Sequence, residues 1–361
     1  MTTPSPRRIL RGARRRAGEV VRQAAWPLDA PPVRPRQVIV DLTDRCYFRC
    51  VSCDKWRTRA TPPELATAGW RAALRALRAW LGPFHLSISG GEPLLRPDLL
   101  ELIADASSLG CTINLMTNGW QVDAVRAQGL VAAGLTNLTL SLNGLRPETH
   151  DASRGMPGSH ARIVAAVDHF NRARGARRLP TLSLNVIVAG YNARELPDLV
   201  RWAREAPVDA VGLQPLVDIA NYQPYGDRRR APAQPELAPP RDSPLWAAPD
   251  GELPAALDEL IALKRAGYPI LNTVPHLDLV RTYFTGQGTA TARSRCYVGL
   301  NSFLIDPYGG VRLCYTLPAV GNILDESPGA LWAGARARAV RRKVRACALG
   351  CRLLNCNYQG R

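Results

Sequence analysis

A long apolar stretch is the first thing this chain does not have: no run of 18 or more apolar residues occurs among its 361, so no membrane-spanning helix is predicted. The opening residues MTTPSPRRILRGARRR lack both the apolar core and the small-residue cleavage site of a secretory signal, and the expected location is the cytoplasm. Lysine is nearly missing as well. Among 47 basic residues only Lys55, Lys264 and Lys343 are lysines, a bias that points to a GC-rich genome rather than to a binding chemistry. The net charge is +17, yet the arginines are scattered, with denser runs at 7–16, 228–230 and 336–345, as on a solvated surface. No recognisable nucleic-acid module accompanies them, so nucleic acid is not an expected partner. The apolar positions of the N-terminal segment (Ile9, Leu10, Ala13, Ala17, Val20, Val21) are small and interrupted by arginine, so a membrane-surface helix is not expected either.

Histidine is also scarce, at positions 85, 150, 160, 169 and 276, and none neighbours the first cysteine group in sequence. That group is CYFRCVSC, with Cys46, Cys50 and Cys53 in C-x3-C-x2-C spacing. A second group is Cys347, Cys351 and Cys356, and Cys111, Cys296 and Cys314 stand singly. Clustered cysteines without an export signal argue for a metal or iron–sulfur site in a reducing compartment. Three thiolates leave a structural zinc site one ligand short. They suit a [4Fe–4S] cube, holding three irons and leaving the fourth open to a small ligand.

Residues 1–35 read as a basic arm, a short helix followed by the proline-rich WPLDAPPVRPRQ. From there strands and helices alternate. Strands are predicted at 36–43, 84–89, 111–117, 137–143, 180–188 and 210–216, and helices at 63–80, 96–110, 121–134, 159–175 and 193–205. This βαβ spacing predicts an α/β fold with a parallel sheet and helices outside, either barrel-like or doubly wound. Residues 218–252, rich in Pro and Arg, break the pattern as a linker or lid. Beyond them the sequence predicts helices near 253–266 and 275–285, a hairpin over 302–316 and a basic helix over 331–346, and it closes in the cysteine-rich tail.

SGGEP (89–93), MTNG (116–119) and SLNG (141–144) each end a successive predicted strand, as the cysteine loop ends the first. Active sites of parallel α/β sheets are built at that edge. Each motif alone also reads as an ordinary strand-exit turn, and Cys111 reads as a buried core thiol. Together, C-x3-C-x2-C after strand one, GGEP after strand two and a serine-bearing strand four followed by HDASRG (150–155) resemble the radical S-adenosylmethionine (radical SAM) superfamily over roughly 36–216.

The resemblance implies a partial (β/α)6, TIM-like barrel. It implies that Cys46, Cys50 and Cys53 ligate a [4Fe–4S] cluster whose open iron binds S-adenosylmethionine, which is cleaved to a 5′-deoxyadenosyl radical that abstracts substrate hydrogen. By the same carry-over Gly90, Gly91 and Glu92 hold the methionyl amine, Ser141 and Arg154 contact the methionyl carboxylate and ribose, and Asn192 contacts the adenosine. Ser52 departs from the family's aromatic before the third cysteine, and Asn143–Gly144 replaces its Asp-Gly.

Further on, Cys296, Gly309 and Cys314 resemble the opening of the twitch or SPASM appendages of this superfamily. With Cys347, Cys351 and Cys356 they make five thiols for one probable auxiliary [4Fe–4S] cluster. Residues 253–361 are accordingly a small C-terminal auxiliary-cluster domain behind a core at 36–217. A structural zinc site is the alternative for these thiols, and a non-catalytic iron–sulfur or zinc protein is the alternative for the whole chain. Among enzymatic readings, the arm is shorter than the leader-recognition domain many peptide modifiers carry. That favours a small-molecule or natural-product substrate, with a ribosomally made peptide as the alternative. A reductant such as flavodoxin or ferredoxin is the implied electron source.

Overall fold

The computed structural model describes residues 18–53, 55–57, 63–217, 251–285, 295–347 and 350–355. Six strands, β1 (Gln37–Asp41), β2 (His85–Ser89), β3 (Thr112–Thr117), β4 (Asn137–Ser141), β5 (Thr181–Val188) and β6 (Ala210–Pro215), lie side by side in chain order and all parallel. Helices connect them, as right-handed crossovers between parallel strands require. The expected partial (β/α)6 barrel is therefore present.

Each crossover helix buries one apolar stripe. Over Thr67–Leu81 the buried residues are Trp70, Ala73, Leu74 and Leu77, spaced as one face of a helix, and the helix stops at Gly82, whose φ of 76° suits glycine. The outer face of the sheet meets these stripes with Ile113, Leu115, Leu138, Leu140, Leu182 and Leu184, all at most 1% exposed. The opposite face is polar. Asn114 donates to Ser87 (3.0 Å), and Asn137 donates to Asn114 (2.6 Å) and accepts from Thr181 (2.7 Å) and Ser183 (3.0 Å). Fully buried parallel sheets read as unbroken apolar runs; this inner face instead carries a ladder of amides and hydroxyls.

The structure differs from the sequence-based expectation in three places. A helix at Pro147–Arg154 lies within what the sequence presents only as a motif; Pro147 opens it and left-handed Gly155 closes it. The basic helix breaks in two, Pro328–Ala333 and Ala335–Ala346, at Gly334. Most consequentially, the C-terminal hairpin joins the main sheet. Strand β7 (Ser302–Ile305) pairs in parallel with β1, and β8 (Gly310–Arg312) and β9 (Gly321–Asn322) follow antiparallel, giving nine strands in one sheet.

The other edge, β6, is partly covered too. Val211 bridges Ile270, and the Asn272 carboxamide exchanges hydrogen bonds with the backbone of Leu213 (2.8 and 2.7 Å). The proposed lid at 218–252 lies almost wholly outside the described residues, as do 1–17 of the arm. Among the described residues no helix is long and apolar enough to cross a membrane.

Candidate active site

The loop leaving β1 carries Cys46, Cys50 and Cys53, three free, half-buried thiols. All three open onto one cavity of about 190 Å³, walled also by Ser89–Gly91 after β2, Met116–Asn118 at the end of β3, Ser141 from β4 and Asn185 and Ile187 from β5. Burial pushes the Cys46 thiol up to about 11 and raises Cys53 as well. Loading a metal centre here must therefore displace protons.

Among the described residues no three His, Cys, Asp or Glu side chains converge tightly enough to hold a single metal ion. Three thiols on one cavity wall match the three thiolates of a cluster with an open iron and fall one ligand short of a closed zinc site. The donor set thus suits the iron–sulfur cluster that the sequence implies.

The two glycines of SGGEP are needed first by the protein itself. A Cβ on Gly90 would lie 2.4 Å from the Thr43 carbonyl oxygen, and one on Gly91 would lie 2.3 Å from that of Arg45. Without side chains the β2 loop clasps the thiol loop: Gly91 N–H donates to Thr43 O (2.7 Å) and Glu92 N–H to Arg45 O (2.8 Å). Both glycines line the cavity.

The Glu92 carboxylate does not. It is fully buried and accepts from Thr117 Oγ1 (2.7 Å), Asn118 N (2.9 Å) and Leu94 N (3.1 Å). Desolvation still raises its pKa. Its side chain ties the β2 loop to the end of β3 and is not placed on the cavity wall.

Ser141 and Arg154 do reach the cavity. Arg154 ends the helix at Pro147–Arg154, stacks over Phe48 (5.5 Å) and has a buried Nε without a hydrogen-bond partner. Asn192 is not brought there. It is 1% exposed, and its amide nitrogen donates to Asn143 O and Ile187 O (both 2.6 Å) while its oxygen accepts from Ala189 N (3.0 Å). Every polar atom is spent binding the exits of β4 and β5 to one another. Ser52 stands on the wall where the family usually has a ring. Aromatic surface comes instead from Phe48 and Trp56, whose Nε1 donates to Cys50 O (3.2 Å).

Sequence reasoning missed two polar wall residues, Asn185 and Lys55. Asn185 sits opposite Ser141 in the β4–β5 register and lines the cavity; it follows the same alternation as Ser183 and could have been found from the polar inner face. Lys55 lines it too, its ammonium between Asp41 Oδ2 (2.8 Å) and Asp44 Oδ1 (3.0 Å). Those carboxylates hold its pKa above the usual lysine value against the opposing effect of burial.

Beside β1, Cys296 and Cys314 flank the β7–β8 hairpin. Burial pushes the Cys296 thiol up to about 12, with Cys314 and Cys347 near enough to add to the effect, and it raises Cys314 likewise. Cys347 caps the helix Ala335–Ala346. Cys351 packs against the core in the following turn. Cys356 lies outside the described residues. Cys111 is buried at the foot of β3, as a core thiol should be.

A barrel edge with such a cavity, and a second thiol group around β7, matches two family models: the radical SAM superfamily over residues 40–203, and SPASM, an iron–sulfur cluster-binding domain, over residues 296–357. The chain carries a radical SAM core with a SPASM domain behind it, the architecture that implies a [4Fe–4S] cluster, S-adenosylmethionine and auxiliary iron–sulfur binding.

Its relatives include the PqqA peptide cyclase of Gluconobacter oxydans (strain 621H), 34% identical over 54% of this chain and 51% of that protein. The PqqA peptide cyclase of Xanthomonas axonopodis pv. citri (strain 306) is 36% identical over 55% of this chain and 50% of that protein. The chain thus spans about half the length of the curated relatives it matches. Solved structures of like fold include Streptococcus suis SuiB bound to precursor peptide SuiA (TM-score 0.64, 15% identity, 94% of this chain and 73% of that chain). Another is anSMEcpe with bound AdoMet and Cp18Cys peptide (TM-score 0.62, 16% identity, 89% and 88%).

Proposed function

We propose that this protein is a radical SAM enzyme that modifies a peptide. The observation that carries the radical chemistry is the trio Cys46, Cys50 and Cys53, free and half-buried around one cavity at the carboxyl edge of a parallel barrel. When bound, the cluster and S-adenosylmethionine supply a carbon-centred radical that takes hydrogen from the substrate.

The chain's own residues hold and shelter that chemistry. The trio holds the cluster; the Gly90–Gly91 backbone and the side chains of Ser141 and Arg154 face the cofactor. The unpartnered Arg154 Nε–H suits a carboxylate or ribose oxygen. Glu92 and Asn192 act indirectly, by fixing the loops that bear the contact residues. Cys296, Cys314 and Cys347, with Cys351 or Cys356, hold the auxiliary cluster. A one-electron donor such as flavodoxin or ferredoxin supplies the reducing equivalent.

The relatives named peptide cyclases support a peptide over the small-molecule substrate that the short arm suggested. Short peptides encoded beside this gene are the substrates to test. Anaerobic incubation with S-adenosylmethionine and dithionite should give one that loses a pair of hydrogens by mass spectrometry, with the change mapped to a new bond between side chains. Turnover of a small metabolite with every such peptide unchanged would contradict the proposal.

A further inference from the structure

Lys55 is one of only three lysines in the chain, and it stands directly behind the thiol loop. A lysine ammonium is a compact charge with three donors on one atom, whereas arginine offers a planar fork. Lys55 uses that compactness to bridge Asp41 (2.8 Å) and Asp44 (3.0 Å), with its side chain only 21% exposed. Each carboxylate is held from its far side by a different element. Asp41, at the end of β1, accepts from Ser89 Oγ at the end of β2 (2.8 Å). Asp44 accepts from the phenol of Tyr308 (2.9 Å).

Tyr308 belongs to the turn between β7 and β8, inside the SPASM region at 296–357. That turn is itself well held. Asp306 accepts from Tyr308 N (3.0 Å) and Gly310 N (2.7 Å), Asn322 donates to Tyr308 O (3.1 Å), and Leu65 N–H donates to Pro307 O (2.7 Å). A chain of charge-assisted hydrogen bonds thus runs from the C-terminal hairpin through Asp44 and Lys55 to the residues that carry Cys46, Cys50 and Cys53.

We propose that Tyr308 is a positioning residue for the first thiol trio: through Asp44 and Lys55 the SPASM hairpin fixes the loop that holds the radical-generating cluster. This rests on the assignment of that trio to an iron–sulfur cluster. Tyr308 touches no reacting atom. Its hydroxyl orients one carboxylate, which orients the ammonium, which pins the loop two residues beyond Cys53.

The test uses the full, reconstituted chain with Tyr308→Phe, which keeps the ring and removes the hydroxyl, with Asp44→Asn, and with the double variant. Amide hydrogen exchange over 44–56 should quicken about tenfold in Tyr308→Phe, as expected for one lost hydrogen bond to a charged group, and a chelator should strip the first cluster several-fold faster. The double variant should be no worse than Asp44→Asn alone, because both act on one path. Exchange over 44–56 unchanged in Tyr308→Phe overturns the proposal, including where the hairpin at 302–312 alone loosens. Where both segments loosen, additive effects in the double variant overturn it and non-additive effects support it. A wild-type chain that takes up no iron through Cys46, Cys50 and Cys53 sinks the functional proposal instead, and the exchange comparison, which needs no iron, still judges the strut.

Discussion

His150 shows what one buried side chain contributes at the residue scale. Its Nδ1 accepts from Asn143 N–H (3.1 Å), and its Nε2 is enclosed with no partner. Burial, reinforced by Arg154 and His160, pushes its pKa down to about 3. The folded chain therefore keeps the ring neutral while the unfolded chain takes up a proton near pH 6.5, so stability falls as pH drops through that value. The expected loss between pH 7 and 5.5 is roughly 1 kcal/mol from this residue. Urea unfolding of wild type and His150→Asn at both pH values should show a flatter dependence in the variant, with the remaining slope shared by His85 and His276, whose pKa values burial also lowers. Equal slopes would contradict the account. The histidine's place in HDASRG was legible in the sequence; its burial was not, because burial depends on which helix covers the exit of β4. Glu92 and Asn192 make the same point. The sequence marks them as candidates for ligand contact, but which donors and acceptors surround them is fixed by loops 25 to 50 residues away.

At the scale of elements, strands β1 to β6 and most of their helices were legible from alternation, apolar spacing and turn residues, because each is a local pattern. The parallel pairing of β7 with β1 was not, since nothing within a hairpin states which distant edge it will join. The clasp between the thiol loop and the GGEP loop falls between these cases. The glycines were evident, and their reason appears only with the backbone they approach. Gly91→Ala places a methyl group 2.3 Å from Arg45 O, where no flexible side chain can yield. The clasp should open with a loss of about 2 kcal/mol or more, read as a lower urea midpoint, and cluster uptake through Cys46, Cys50 and Cys53 should fail with it. A variant of wild-type stability and full cluster content would show that the loops do not need this close approach.

For the whole molecule, one nine-stranded sheet carries both thiol groups, the first at the exit of β1 and the second around β7, its immediate neighbour. The SPASM region is thus an extension of the barrel's own sheet, and the two cluster sites share a scaffold. Of the cations on and around the site, Lys55, Arg96 and Arg146 are each paired with carboxylates, whereas Arg154 faces the cavity. The central claim is that a cluster held by only three thiolates cleaves S-adenosylmethionine. Its most direct test is the anaerobically reconstituted chain reduced with dithionite in the presence of S-adenosylmethionine. Wild type should bind about eight irons, Cys50→Ala and Cys314→Ala about four each. 5′-Deoxyadenosine should form in wild type and in Cys314→Ala and vanish in Cys50→Ala. Formation undiminished in Cys50→Ala, or none in a wild-type chain carrying its full iron, would contradict the account.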